Sequence, residues 1–455
     1  VTLARDLVGA TPADALRAAV GDARRASGSS GAPVLAVAAE RLSEAFDPLE
    51  VFRAASGFVR AAFIQPDRRF ALVAVGAEAA WRPAGSSPLA EAADFRRALP
   101  PAVVAGDRPP IALPVMLGGF AFQPGPRAPH WSKFGDGLLI LPRALFAVLD
   151  GTCWRIDARL VGETEAFAAA RISESSRVAA VADRMATKAE WAGAVLRVLE
   201  RIADGEAEKV VLAREAQLED SRPPEDALAV LVERFPSCTS FAFDLAGPCF
   251  LGATPERLAA VRDGVAEVMA LAGTTRRGAT EAEDAELAAR LLTDRKERAE
   301  HAYVVNAIRD AIGPVLLEAS VDPEPHVVRL PHLQHLRTFV RGPMRPGRTL
   351  LDLAARLHPT PAVGGIPRSA AAAIIRDAEG FDRGWYAGPL GWVDARGDGE
   401  FVVALRSALL VPGERARLFA GCGIVARSDP EREYEESELK LEAMRSALEW
   451  RSTSP

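Results

Sequence analysis

The chain has 455 residues, 49% hydrophobic and 25% charged, with a formal net charge of −6. That is ordinary globular composition with material for a large core, and its scattered basic residues form no stripe for nucleic acid. Four cysteines (Cys153, Cys238, Cys249, Cys422) stand far apart without metal-type spacing and read as reduced thiols. No signal-peptide pattern appears, and no stretch approaches the about 20 apolar residues of a membrane helix. A cytoplasmic protein with no membrane or nucleic-acid partner is expected.

In chain order, Thr11 to Arg25 predicts an Ala-rich helix and Ser27 to Pro33 a mobile Gly/Ser loop. Strands begin at Val34. Phe70 to Val75, Val115 to Phe122, Leu138 to Leu141 and Leu145 to Leu149 are strand candidates, and Asp150-Gly151 is a hairpin turn leading to Trp154. Residues 1–185 lack clustered acids, bases or histidines and read as half of a scaffold. Arg171 to Thr187 reads as a polar, helical connection. Residues 186–455 carry the chemistry, and both parts are expected to form one compact unit.

Trp191, Val195, Val198, Leu199 and Ile202 fall at helical spacing, with Gly205 as the stop. A buried strand follows, Val210 to Leu212, with Lys209 at its mouth. That lysine is either an edge charge against aggregation or an amine desolvated enough to lose its proton near neutral pH. Next come a helix near Glu225 to Phe235 and a hairpin, Ser240 to Leu245 and Cys249 to Gly252, ending in Ala253-Thr-Pro-Glu-Arg257. A second hairpin turns at Arg262-Asp-Gly264 and delivers Ala270 to Gly278. One long helix is predicted from Glu281 to Ile312. Strands lie within Val327 to Gly342, a helix over Leu350 to Arg356, and a Gly/Pro-rich loop over His358 to Arg368. Ala395 to Gly399 is a turn, Phe401 to Leu410 and Leu418 to Val425 are strands, and a last helix begins near Pro430. The pattern predicts α+β, with two packed, mostly antiparallel β-sheets and helices outside.

Glu256, after a proline at a strand end, is either a solvated turn carboxylate paired with Arg257 or a general acid of raised pKa. Glu297 and Glu300 share a helix face, as do Glu433 and Glu436. Each pair has an ordinary reading, with Lys296 or Lys440 as an i, i+4 partner. Four converging glutamates would make a hard oxygen site, better suited to Mg²⁺ than to zinc. Gly421-Cys-Gly423 is a bulge or a place where backbone N–H groups approach an anion. Arg406, within an apolar strand, calls for an anionic partner.

These residues belong to ten ordered motifs: KVVLAR, GxTPERL, LAGTxxRG, KExxEH, QHLxTxVxG, LHPTPAVGGxP, YAGxxG, ALRSA, GxGIV and ExxESxxK. Together they resemble the chorismate-utilising enzymes over about Trp191 to Leu448, and within that superfamily the isochorismate synthase branch. The resemblance implies the fold of anthranilate synthase component I. It also implies a set of roles. Lys209 would activate water for attack at ring carbon 2 of chorismate, and Glu256 would protonate the departing 4-hydroxyl. Glu300 and Glu436 would bind Mg²⁺, with Glu297 and Glu433 in support. Arg406, Tyr386, Gly421, Gly423 and Lys440 would hold substrate carboxylates, and Gly273, Thr274 and His335 would line the pocket. Ala362 stands where lyase members have threonine, which implies a synthase that stops at isochorismate. Ser437 and Cys422 depart from the usual threonine and alanine. The implied partner is the small molecule chorismate, for menaquinone or siderophore assembly, with a monomeric chain and no glutaminase subunit. Alternatives are a salicylate synthase, an anthranilate or aminodeoxychorismate synthase component I, and a chorismate-binding homologue without activity.

Overall fold

A computed structural model describes residues 2–9, 14–28, 31–162, 187–329 and 333–449. The connection expected over 171–187 lies, apart from Thr187, outside these residues, as does the middle of the Gly/Ser loop. The chain divides into two compact units. One comprises residues 1–256, 359–395 and 402–455, the other residues 257–358 and 396–401.

The larger unit is a run of neighbouring strands. It passes from Ala102–Gly106 through Val34–Arg41, Thr152–Val161, Gly137–Leu149, Phe70–Trp81 and Val59–Gln65. It continues through Thr239–Leu245, Cys249–Thr254, Ser407–Leu410, Ala416–Ile424 and Lys209–Leu218 to the two-residue strand Gly365–Ile366. Every pairing in this run is antiparallel except the first. The α+β expectation therefore holds, and strands from the first 185 residues are hydrogen-bonded to those that follow, through Val59–Gln65 and Thr239–Leu245. The Asp150-Gly151 turn has φ of 50° and 79°, the left-handed pair that a two-residue hairpin requires.

Aliphatic side chains from one face of this run, including Leu251, Leu418 and Val73, pack with Leu228 and with Leu441, Met444 and Leu448 of the final helix, Pro430–Leu448. Aromatic rings fill another part of the core. Trp131, Phe134, Phe250 and Trp385 meet edge to face, and Phe419 stacks on Tyr386 at 5.3 Å. That packing joins the first half of the chain to a residue of the expected site.

The smaller unit is built on the hairpin Arg257–Arg262 and Val265–Arg276, turned by Asp263 and Gly264 at φ of 49° and 74°. Val265–Arg276 pairs with Leu333–Pro343, which also pairs with Ser320–Val321 and His326–Arg329. The single helix expected over 281–312 is two, Glu281–Thr293 and Arg295–Ile312. Asp294 separates them in an extended conformation, and its carboxylate accepts the N–H groups of Lys296 and Glu297. A short acidic side chain captures backbone donors better than it propagates a helix, and so it starts a new one.

Two further expectations are corrected. The strand Phe401 to Leu410 is broken into Gly399–Val403 and Ser407–Leu410. Between them Ala404 N–H turns to the carbonyl of Gly388, and Arg406 takes a left-handed φ of 46°. Arg406 is thus in a strand break, half-buried, and not inside a strand. After the Gly/Pro-rich loop, Arg368–Ala378 is a helix that the apolar pattern of Ala and Ile carries, with Pro367 before its first turn.

Candidate active site

Lys209 opens the strand Lys209–Leu218, half-buried, as its place at the mouth of an apolar run predicts. The helix before it, Lys188–Ala203, is fixed by a capping box between Thr187 and Glu190 and is followed by Gly205 at φ 76°. The neighbouring strand Ala416–Ile424 runs in unbroken register along Lys209–Leu218, with Gly421 opposite Ala213 and Gly423 opposite Val211. The two glycines therefore sit in regular strand and not in a bulge. They make room for side chains. A β-carbon on Gly423 would lie 2.8 Å from Lys209 Cε, and one on Gly421 would lie 3.3 Å from the Tyr386 hydroxyl.

Glu256 is held by its backbone. Its N–H donates to Thr254 Oγ1 at 3.2 Å, its carbonyl accepts from Val403 N–H at 2.9 Å, and the Thr254 hydroxyl donates to Val403 O at 2.6 Å. Arg257, the partner of the ordinary reading, is instead paired with Glu267. Burial pushes the Glu256 carboxyl up to about 7, against the opposing pull of the Lys209 and Lys440 cations. A glutamic acid near neutrality can give up a proton at neutral pH. Tyr386 is buried against Phe419, and burial raises its phenol, so it stays a hydroxyl.

Arg214 ties the Lys209 strand to the final helix. Its Nε donates to Ser437 Oγ at 2.7 Å, its guanidinium pairs with Glu438, and it lies 4.5 Å from the Tyr434 ring centroid. That helix starts at an Asp429 cap and carries Glu433, Glu436 and Lys440. Oxygens of Glu433 and Glu436 and the sulfur of Cys422 lie within 4.8 Å of one another. Burial, partly opposed by the Ser428 hydroxyl, raises Glu433, and the Glu436 charge adds to the rise. Cys422 is pushed up to about 12 by burial, and its thiol donates to the Glu433 carbonyl at 3.3 Å. Lys440 Nζ is 2.8 Å from Glu436 and 2.8 Å from Gly421 O, so the i, i+4 pair of the ordinary reading is present. Both partners are exposed, where such a pair stabilises little.

The same unit holds Ala362, exposed in the loop after His358; there Thr360 O accepts from Val363 and Gly364 N–H. The Arg406 charge near Cys238 offsets in part the rise that burial imposes on that thiol.

In the smaller unit Gly273 makes a bulge at φ 75°, and a β-carbon there would press on Glu297 O and Leu336 Cδ1, both at 3.1 Å. The Glu297 carboxylate accepts the Thr274 N–H at 2.8 Å, and Thr274 Oγ1 lies 2.9 Å from His335 Nδ1. Burial holds the His335 imidazole below its ordinary value, hence neutral. His301, buried, spans Ala272 O and Thr338 Oγ1 and anchors this helix to the two strands. Glu300 is in that helix one turn after Glu297, with its side chain outside the described residues.

Sequence reasoning passed over a buried pair, Glu379 and Arg383. Arg383 donates to Val211 O at 2.7 Å and Val363 O at 3.0 Å, and Glu379 accepts Ala213 N–H at 2.6 Å. Spacing of i, i+4 was the available signal, but such pairs are common on exposed helix faces.

The sequence model described as chorismate binding enzyme matches residues 22–449. The chain is 42% identical over 367 residues to the salicylate biosynthesis isochorismate synthase of Pseudomonas aeruginosa, covering 76% of each chain. It is 37% identical over 353 residues to the isochorismate synthase MenF of Bacillus subtilis, covering 74% of each. The solved structure of MenF, the menaquinone-specific isochorismate synthase from Escherichia coli, superposes with a TM-score of 0.74 at 27% identity, over 96% of this chain and 100% of that one. Fold, ordered motifs and these relatives agree, and the chain belongs to the chorismate-binding enzyme family.

Proposed function

We propose that this enzyme converts chorismate to isochorismate, the precursor of menaquinone and of catecholate siderophores. The observation that carries the reading is Glu256, raised to about 7 while two lysines lie near enough to oppose the rise. Lys209, once its amine has lost its own proton, takes a proton from water, whose oxygen bonds to ring carbon 2. Both ring double bonds shift by one position, the bond from carbon 4 to its hydroxyl breaks, and Glu256 gives that hydroxyl its proton. One water enters and one leaves, so the reaction is an isomerisation. Hydroxyl is a poor leaving group, which is why an acid still protonated near neutrality is needed. The buried Tyr386 hydroxyl, Arg406 and Lys440 serve the two substrate carboxylates in this reading.

We propose Mg²⁺ as the cofactor, with Glu436, supported by Glu433, as the donor of the larger unit and Glu300, supported by Glu297, as that of the smaller. The donor chemistry fits. The Cys422 thiol stays protonated and is bonded to a carbonyl, which leaves carboxylate oxygens as donors, and oxygen suits a hard cation. When bound, the ion neutralises charge on the dianionic substrate. Ala362 favours release of isochorismate over pyruvate elimination. The test is product analysis of chorismate with the purified enzyme and Mg²⁺, separating isochorismate, salicylate and pyruvate. Lys209→Ala should lower turnover by roughly 10²- to 10⁴-fold with folding intact. Near-normal turnover would return Lys209 to the role of an edge-strand charge.

A further inference from the structure

Among the described residues, the strand that carries Lys209 has a full neighbour on one side only. Ala416–Ile424 pairs with it from Val210 to Leu218. On the other side Gly365–Ile366 reaches only Lys209 and Val210, and Gly364 O then accepts the Val211 N–H at 2.7 Å. Past that point the two side chains of Glu379 and Arg383 take over. Arg383 supplies the donor for Val211 O and Glu379 the acceptor for Ala213 N–H, which are the bonds a neighbouring strand would make. Both side chains are buried, at 3% and 4% exposure, and pair with each other. The guanidinium also holds Val363 O, next to Ala362, and lies 4.1 Å from the Phe122 ring centroid. Its own carbonyl accepts the Tyr386 N–H at 2.9 Å.

We infer that the Glu379–Arg383 pair is a positioning element of the active site, replacing a strand so that Lys209, Ala362 and Tyr386 share one rigid frame. This rests on the reading of Lys209 as the base. A simple fold-stabilising pair could sit anywhere in the core. This one bonds two residues and four residues after Lys209, next to Ala362 and three residues before Tyr386. A lone ammonium cannot reach Val211 O, Val363 O and Glu379 at once, because only the guanidinium fork presents donors in several directions.

The test uses Arg383→Lys and Glu379→Gln in the full chain. Each is followed by steady-state kinetics with chorismate across pH and by hydrogen exchange of the peptide spanning 209–213. Positioning predicts a kcat lower by about 10- to 100-fold, as for small displacements of a reacting group. KM should stay within about threefold, since binding groups are untouched. It also predicts a moved basic or acidic limb in the pH profile and faster exchange in that peptide, with thermal unfolding still cooperative. Wild-type kcat and pH profile in Arg383→Lys would overturn the inference, and so would a loss of activity that only follows the unfolded fraction. If Arg383→Lys fails to fold, Glu379→Gln decides, since it keeps an oxygen for Ala213 N–H while releasing Arg383. Should wild type not turn over chorismate while exchange still rises in the variants, the isochorismate reading falls and the frame stands. Turnover in wild type with unchanged exchange and kinetics in both variants would sink the frame alone.

Discussion

Gly423→Ala separates two uses of one glycine. As a backbone anion contact, position 423 needs only its N–H, which alanine keeps. As room for Lys209 it needs the missing β-carbon. That carbon would lie 2.8 Å from Lys209 Cε, whereas carbon atoms in contact rest about 3.5–4.0 Å apart. Lys209 Cε must therefore move by about 1 Å, or the two strands must part. Parting is resisted along the whole register from Ala416 to Ile424, so the flexible lysine gives way. A displacement of about 1 Å at a reacting group costs on the order of 10²-fold in rate, or about 2.7 kcal/mol in the barrier. Turnover of chorismate should drop by that order, while the unfolding temperature changes by little. Gly423 lies outside the left-handed region, so alanine adds no backbone strain. A Gly423→Ala enzyme within about threefold of wild type would refute the steric reading and return the residue to its N–H.

Four more outcomes are expected. Glu256 must be protonated to act, so activity should decline as pH rises through about 7, and Glu256→Gln should remove that limb along with most turnover. Because its folded pKa lies above the unfolded value, stability is full below the unfolded carboxylate range and falls as pH rises through about 7. Thermal melts of wild type should show that loss, and those of Glu256→Gln a smaller one. EDTA should abolish activity and Mg²⁺ restore it, with Glu436→Gln raising the Mg²⁺ requirement and Glu442→Gln, on the same helix, leaving it unchanged; full activity in metal-free buffer would exclude the ion. Ala362→Thr should raise pyruvate and salicylate above wild type by crowding the enolpyruvyl group, and salicylate formed in step with chorismate loss by wild type would refute the use of Ala362.

Local sequence determined what depends on neighbours in the chain. The Lys209 strand, the hairpins at Asp150-Gly151 and Asp263-Gly264, and the helix that starts at Pro430 all follow from turn chemistry and apolar spacing, which act over a few residues. So does the placement of Glu256 in a turn. Asp294 was legible too late, because a periodic run from Glu281 to Ile312 hides a cap that only its captured N–H groups reveal. What the tertiary structure decided depends on parts of the chain far apart. Burial raises Glu256 because chain distant in sequence encloses its carboxyl, and Arg257 turns to Glu267 across a hairpin. Arg406 leaves its strand because the Ala404 N–H finds Gly388 O. The exposed-looking pair Glu379 and Arg383 becomes interior because a strand formed some 170 residues earlier in the chain offers it Val211 O and Ala213 N–H. Desolvation and edge pairing are properties of an enclosed place, and no spacing along a chain encodes which strand edge a side chain will meet.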